Sequence, residues 1–336
     1  MSYAVLYLFL AGLCLFGIQF APTGMDIREV MNRMNRLRPI VAIILIFGHC
    51  ALPYAKMPLL LLPFHKASTF CVGYFFVLSG YGLAYSVDNK RGYLDHFGNK
   101  IVNLIWITVF SSVVSMLLKS FAFQTWEPLK LINWYMPAII VMYLVFYAVY
   151  RLFPEAGSKR VFWLFVVLFL LIAAVCGYGK LVDRNYRNYF ISELAFPFGT
   201  WIYEYADEFS AFLKKKTALL FIVLLEFVFS GAALTIPELG LMDLIFHNLM
   251  LFPFVLLLMW ILDKVSVSNC ILKNAARYTT YIYLFQFPFL EILQQYYLTA
   301  QRPFDTFYFW GCLCLTCILA YVVQCLQDSI CTVVHK

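Results

Sequence analysis

Apolar runs long enough to cross a lipid bilayer recur from one end of the chain to the other, and no long polar stretch separates them. A spanning helix needs about 20 predominantly apolar residues, because the hydrocarbon core is about 30 Å thick. Only 13% of the 336 residues are charged and 63% are hydrophobic, whereas soluble domains are about a quarter charged. The sequence therefore predicts an all-α, polytopic transmembrane helix bundle.

Hydropathy divides the chain into eleven predicted spans. The first run has neither a preceding basic residue nor a following cleavage site, so we expect a retained helix rather than a signal peptide. The weakest span is 191–209, since it carries Glu193 and Glu204 and contains Pro197 and Gly199. The predicted spans are 3–20, 39–54, 67–86, 101–123, 134–153, 161–178, 191–209, 217–236, 242–262, 278–298 and 305–325.

The basic residues fall unequally on the two sides that these spans define. Of the 25 lysine and arginine residues, 17 lie on the side of the loops at 28–38, 90–100, 151–160, 214–216 and 264–277 and of residue 336. The other side holds 8, namely Lys56, Lys66, Lys119, Lys130, Lys180, Arg184, Arg187 and Arg302. The positive-inside rule places the richer side in the cytoplasm, so we predict a multi-pass protein of the cytoplasmic membrane with its amino terminus outside and its carboxyl terminus inside.

Charge and cysteine content exclude two other classes of function. The net charge of +7 comes from short loops, which is typical of orientation signals and not of a nucleic-acid groove, so we expect contacts with membrane lipid and none with nucleic acid. Cys312 and Cys314 lie about 200° apart on a helix and cannot share a ligand face. We expect no metal site and interpret the cysteines as packing residues.

Arg38 and His49 are the strongest candidates for chemistry. Eleven helical steps of 100° bring both side chains to one face of the second span, about 16 Å apart along its axis. Arg38 would lie at the cytoplasmic end and His49 deep in the span, nearer the outside. Arginine at a span end often serves only as an interfacial anchor, and a buried histidine often only packs, although ionisable groups in a membrane favour function. Imidazole is a general base near neutral pH.

The segment before this span, 25–37, has apolar residues at helical spacing with arginines between them. We expect either a short helix lying on the cytoplasmic face or a plain basic linker. In the third span, aromatic residues precede Ser79-Gly80-Tyr81, a pattern that permits close helix approach. Ser79 is a possible nucleophile, but no Gly-x-Ser-x-Gly elbow surrounds it, which favours packing.

Arg38 and His49 in one span, followed by Phe-Phe-Val-Leu-Ser-Gly-Tyr in the next, resemble the acyltransferase 3 family of integral membrane O-acyltransferases. Further along, Trp134-Tyr135 at the start of a span and the segment Arg277–Leu284, which contains Tyr283, are similar to other motifs of that family. The likeness assigns 38–325 to a ten-helix unit. We accordingly divide the chain into an N-terminal helix with an interfacial segment, 1–37, and an acyltransferase-like domain, 38–336.

The resemblance implies transfer of an acyl group, expected to be acetyl, from coenzyme A on the cytoplasmic side. The acceptor would be a hydroxyl of a cell-surface glycan or its lipid-linked precursor. His49 would activate the acceptor or relay the acyl group, and Arg38 would hold the donor's charged portion. The remaining residues that the resemblance assigns to substrate or donor binding are Ser79, Tyr81, Lys100, Trp134, Tyr135 and Tyr283.

The sequence departs from the family pattern at two places. Gln286 stands where the family often has histidine, and the stretch 98–106 keeps one basic residue, Lys100, where the family is often richer in arginine. A second acid–base pair, Asp243 and His247, is spaced four apart and shares a helix face. It is either a structural hydrogen bond or a catalytic dyad that lacks an evident nucleophile.

A transporter or exporter of a glycan-related or other small anionic substrate is the alternative function. Ionisable residues inside a membrane also mark translocation paths. Transporters often contain internal repeats and paired broken helices. We find no repeat, and the break at Pro197–Gly199 has no counterpart elsewhere in the sequence, which favours the enzyme.

Overall fold

A computed structural model describes residues 3–20, 24–54, 57–129, 134–155, 157–182, 186–236, 240–301 and 304–334. Among the basic residues used to predict orientation, Lys56, Lys130, Arg184, Arg302 and Lys336 lie outside these ranges. The helices of the described chain are α1 Ala4–Leu15, α2 Ile27–Cys50, α3 Leu62–Asn89, α4 Phe97–Phe123, α5 Tyr135–Leu152, α6 Gly157–Leu181, α7 Ala195–Glu204, α8 Ala206–Leu213, α9 Ala218–Thr235, α10 Leu241–Leu249, α11 Leu251–Lys264, α12 Cys270–Ala275, α13 Thr279–Thr299 and α14 Thr306–Val334.

The bundle confirms the predicted all-α, polytopic membrane architecture. Within the described ranges, seven helical stretches are long and apolar enough to cross a bilayer: α3, α4, α5, α6, α9, α14 and the consecutive pair α10 and α11. Many of their large apolar side chains are exposed, as expected of helix faces that contact lipid instead of water. Each of these stretches overlaps one predicted span.

The first predicted span, 3–20, is wrong in length. Helix α1 has 12 residues, about 18 Å at 1.5 Å per residue, so it is too short to cross the hydrocarbon core. The chain turns at Gly17, which has φ +84° and where a Cβ atom would lie 2.3 Å from the Ser268 carbonyl oxygen. A strand, β1 (Ile18–Phe20), follows and pairs antiparallel with β2 (Val265–Val267).

Segment 25–37 is neither an interfacial helix nor a linker. It forms the first part of α2, which runs without a break from Ile27 to Cys50. Arg33 is 6% exposed and its Nη1 donates to the carbonyl oxygens of Leu262 and Asp263, at 2.8 and 3.2 Å. These carbonyls lie at the end of α11, where no intrahelical donor remains. One face of the segment, including Arg33, is therefore buried against the end of α11, whereas Arg28, Asn32 and Arg36 are exposed.

The predicted span 191–209 is also wrong, because it is two short helices. Helix α7 has 10 residues and α8 has 8, with the break at Tyr205. Most of α7 is buried against α3, and glycines permit the close crossing. A Cβ atom on Gly80 would lie 2.0 Å from the Phe196 carbonyl oxygen, and one on Gly199 would lie 2.1 Å from that of Val77. The expected close approach at Ser79-Gly80 is therefore confirmed.

Helix α2 lies at the centre of the bundle, in contact with α3, α11, α13 and α14. Asp26 is the N-cap of α2. Its carboxylate accepts a hydrogen bond from the Arg28 backbone N–H at 3.0 Å, as is typical of a helix start. The division between 1–37 and 38–336 stays a prediction, and α2 crosses that boundary without interruption. With 24 residues, α2 is about 36 Å long and reaches both ends of the bundle.

Candidate functional site

Arg38 and His49, the predicted catalytic pair, lie on the same uninterrupted helix, α2. They line different cavities, however. Arg38 lines a cavity beside the N-terminal ends of α4 and α13, which we call the inner cavity. His49 lines a second one toward the other end of α2, which we call the outer cavity. The names refer to the predicted cytoplasmic and outer sides of the membrane.

The inner cavity has a volume of about 340 Å³ and lies between α2, α3, α4, α5 and α13. Each helix contributes one of the residues predicted from the sequence, namely Arg38, Ser79, Lys100, Tyr135 and Tyr283. The lining residues are Asn35, Arg38, Phe75, Leu78, Ser79, Gly82, Leu83, Lys100, Leu104, Tyr135, Met136, Ile139, Tyr143, Thr279, Thr280 and Tyr283.

Two cations give the inner cavity a positive potential. Arg38 donates from Nη2 to the Ala276 carbonyl oxygen at 3.3 Å, while its Nε is buried and has no hydrogen-bond partner among the described residues. Lys100 Nζ donates to the Tyr93 hydroxyl at 3.0 Å and lies 5.4 Å from the centroid of the Tyr143 ring. The described lining contains no acidic residue, so the cavity favours an anion.

Aromatic rings form one wall of the inner cavity. The rings of Tyr135 and Tyr283 have centroids 4.6 Å apart, and Tyr135 stacks on Phe76 at 5.0 Å. Phe75 meets Tyr283 edge-on at 6.2 Å. These contacts join α3, α5 and α13, so the two predicted tyrosines are held in place by their neighbours as well as facing the cavity.

Two predicted binding residues lie outside the inner cavity. Trp134 contacts Tyr135 edge-on at 6.3 Å but is absent from the lining. Tyr81 lines a separate polar cavity of about 590 Å³, where its ring lies 5.4 Å from that of Tyr203. Tyr81 follows Ser79 by two residues, or about 200° around the helix, which is why α3 directs them to different sides.

The outer cavity has a volume of about 230 Å³ and is lined by residues of α2, α13 and α14 and of the turn after α2. The ring of His49 packs on Phe287 with centroids 5.0 Å apart. Glu291 in the same lining is 2.8 Å from Lys119 of α4. The lining residues are His49, Leu52, Pro53, Phe287, Leu290, Glu291, Gln294 and Tyr308.

Within the part of the chain that the structure describes, His49 is held through its Nδ1 atom. Its Nδ1 lies 2.9 Å from Oε1 of Gln286, and the Gln286 amide nitrogen donates to the Tyr283 carbonyl oxygen at 2.8 Å. No described residue makes a hydrogen bond to Nε2 of His49. The imidazole therefore combines a fixed nitrogen with a second nitrogen that remains able to accept a proton.

Helix α13 contributes residues to the linings of both cavities. Its residues near the N-terminal end line the inner cavity, and those farther along line the outer cavity. They recur every three or four positions and so form one stripe along the helix: Thr279, Thr280, Tyr283, Phe287, Leu290, Glu291 and Gln294. Helices α2 and α13 together therefore border both cavities.

Asp243 and His247 form a hydrogen-bonded cluster with Arg187 in which both nitrogens of His247 have partners. Arg187 binds the Asp243 carboxylate through Nε at 2.9 Å and Nη2 at 3.0 Å. Nδ1 of His247 lies 2.8 Å from the same carboxylate, and Nε2 lies 2.7 Å from Arg187 Nη2. Both imidazole nitrogens are engaged, which favours the structural hydrogen bond over the catalytic dyad.

Sequence reasoning missed two partners. Gln286 was noted only as a departure from a pattern, and its contact with His49 spans 237 positions. Arg187 was counted only as a loop charge, although it binds Asp243. The position of Asn35 in the inner cavity could have been predicted from the sequence. It precedes Arg38 by three residues and therefore shares its helix face.

Comparison with known proteins assigns the chain to a family. A family model described as an acyltransferase domain, that of the acyltransferase 3 family, matches residues 31–324. The match begins inside α2 and includes both Arg38 and His49, together with every residue that lines the inner and outer cavities. No match is found among curated proteins or among solved structures. The chain therefore belongs to the acyltransferase 3 family, and it is a membrane acyltransferase.

Proposed function

We propose that this acyltransferase moves an acyl group, expected to be acetyl, from acyl-coenzyme A to a hydroxyl of a cell-surface glycan or its lipid-linked precursor. The donor binds from the cytoplasmic side of the cytoplasmic membrane. Family membership supports acyl transfer in general. The donor, the acceptor and the side are inferred from the chemistry of the two cavities and from the predicted orientation.

The inner cavity is the proposed donor site, and its pair of cations is the observation that carries the proposal. Coenzyme A is polyanionic because of its phosphates, and the described lining offers Arg38 and Lys100 without an opposing carboxylate. The Nε group of Arg38 is buried without a partner among the described residues, which is costly unless an acceptor binds there. A donor oxygen would provide that acceptor.

The outer cavity is the proposed acceptor site, with His49 as general base. The acceptor oxygen attacks the thioester carbonyl carbon, its proton passes to His49, the C–S bond breaks, and the thiolate of coenzyme A leaves and takes up a proton. A positioned base of this kind contributes roughly 10²- to 10⁴-fold in rate. The narrow thioester arm of the donor would reach from the inner cavity along α2 and α13 toward His49.

Thermal unfolding of the purified protein with acetyl-coenzyme A tests the donor site. A ligand that binds only the folded state at 100 times its Kd stabilises by about 2.7 kcal/mol, so the wild-type unfolding temperature should rise. Arg38→Ala should reduce that rise. Arg36→Ala should keep it, because Arg36 is exposed on the same helix and does not line the inner cavity.

Two results would count against this assignment. No thermal shift in the wild type at saturating acetyl-coenzyme A would contradict the donor. An equal shift in wild type and Arg38→Ala would remove Arg38 from the donor site and leave the rest of the proposal standing.

A further inference from the structure

Gln286 makes two hydrogen bonds that together fix its orientation. Its side chain is fully buried, with Oε1 at 2.9 Å from His49 Nδ1 and Nε2 at 2.8 Å from the Tyr283 carbonyl oxygen. A backbone carbonyl only accepts, so the amide nitrogen must face Tyr283. The reversed amide would bring two oxygens to hydrogen-bonding distance and leave a buried acceptor without a donor.

The orientation of the amide determines the proton on the imidazole. An amide oxygen accepts and cannot donate, so Nδ1 of His49 must carry the hydrogen. In the neutral ring, Nε2 then holds the lone pair. The same hydrogen bond survives when the ring is protonated, since Nδ1 remains a donor in imidazolium. The Tyr283 carbonyl therefore fixes the orientation of the Gln286 amide, and that amide fixes the tautomer of the His49 imidazole.

We propose that Gln286 is a positioning residue that holds His49 in the tautomer protonated at Nδ1 and keeps Nε2 as its proton-accepting atom. The catalytic meaning of this arrangement rests on the proposed function, whereas the tautomer itself does not. Because Tyr283 also lines the inner cavity, its backbone links the wall of the proposed donor site to the orientation of the base.

Nitrogen-15 NMR of protein labelled on histidine measures the tautomer without any activity assay. The chain has 5 histidines, and the His49 signals are those lost in His49→Gln. In the wild type at a pH where His49 is neutral, these signals should be those of a ring protonated at Nδ1. Gln286→Leu should give a mixture of both tautomers. Gln294→Leu is the matched control, because Gln294 lines the same cavity from the same helix and should leave the signals unchanged.

Gln286→Glu covers the case in which the leucine variant does not fold. Glutamate has nearly the same shape, and its carboxylate accepts the same hydrogen bond but favours a positively charged partner. His49 in this variant should be imidazolium at a pH where the wild-type ring is neutral. Gln286→Leu should lower the rate of acyl transfer by about 10- to 100-fold, by analogy with the loss of a partner that orients a metal-bound histidine, with the KM for acyl-coenzyme A little changed.

The inference is overturned if wild-type His49 is protonated at Nε2, or if Gln286→Leu leaves the His49 signals as they are in the wild type. These spectra separate the inference from the proposed function. A correct tautomer in a protein that transfers no acyl group would refute the function and leave the role of Gln286 intact.

Discussion

Two histidines of this protein are bound at Nδ1, yet they differ in what their second nitrogen does. His247 has both nitrogens engaged, by Asp243 and by Arg187. His49 has Nδ1 bound to Gln286 and borders a cavity of about 230 Å³. The first residue is part of a closed ion-pair cluster, and the second keeps an accepting atom beside space for a ligand.

Sequence spacing alone therefore does not show which histidine keeps a nitrogen able to accept a proton. Asp243 and His247 have the spacing of an acid–base dyad on one helix, but a cation from a distant turn completes the cluster. His49 has no acidic neighbour in sequence, and its partner comes from α13. The cluster can stabilise the fold, whereas the pair of His49 and Gln286 leaves Nε2 of His49 beside the outer cavity.

The largest expected effect separates the two histidines by activity. His49→Gln should lower glycan acylation by roughly 10²- to 10⁴-fold, because glutamine cannot accept a proton near neutral pH. His247→Gln should keep most of the acylation measured per molecule of protein. Acylation of cell-surface glycan, normalised to protein in the membrane, is the measurement. Equal activity of wild type and His49→Gln would show that the two histidines do not differ in their role in acylation.

The next effect separates them by stability. Asp243→Asn leaves Arg187 without its carboxylate in a largely buried site, and losing one member of such a pair costs about 3–5 kcal/mol. The exposed part of Arg187 should keep the loss toward the lower end of this range. Thermal unfolding of the purified variant measures it. A variant as stable as the wild type would show that the cluster is not structural.

A third prediction contrasts two cations. Lys100→Ala should raise the KM for acyl-coenzyme A by about tenfold, as expected when about 1.4 kcal/mol of binding is lost, with little change in unfolding temperature. Arg187→Ala should do the reverse and lower stability while leaving that KM unchanged. Initial rates at varied donor concentration, beside melting curves, distinguish them. A KM effect in Arg187→Ala alone would place the donor site beside Asp243 and His247 and not in the inner cavity.

The smallest effect concerns the ion pair beside the outer cavity. Lys119→Ala removes the contact with Glu291, whose side chain is 54% exposed. Pairs of this kind contribute about 0–1 kcal/mol, so the unfolding temperature should change little. A loss comparable to that of Asp243→Asn would mean that burial does not distinguish the two regions.

Helical periodicity was sufficient for part of this structure. Of the eleven spans predicted from apolar runs, seven coincide with long apolar helical stretches of the described chain, and the eleven-residue spacing placed Arg38 and His49 on one helix. Hydropathy did not detect the turn at Gly17, because a turn depends on one backbone angle. It also merged α7 with α8, because the helix break at Tyr205 leaves no mark in the hydropathy of the run.

Residue spacing predicted the site only where its residues are close in sequence, as for Arg38 and His49. Ser79, Lys100, Tyr135 and Tyr283 meet in the inner cavity, but their resemblance to family motifs suggested this and no local pattern did. The contact between His49 and Gln286 depends on how α2 packs on α13. Single-sequence reasoning contains no such information, so it recorded Gln286 as a departure instead of a partner.

Transfer of labelled acetyl groups by purified protein in liposomes tests whether His49 is the base for acyl transfer. Labelled acetyl-coenzyme A is supplied with a glycan acceptor, and label is measured in ester linkage on the acceptor. We expect ester formation by the wild type and by His247→Gln, and almost none by His49→Gln at equal protein. Wild-type protein that moves the acceptor across the bilayer without forming an ester, or His49→Gln that transfers label at the wild-type rate, would contradict this expectation.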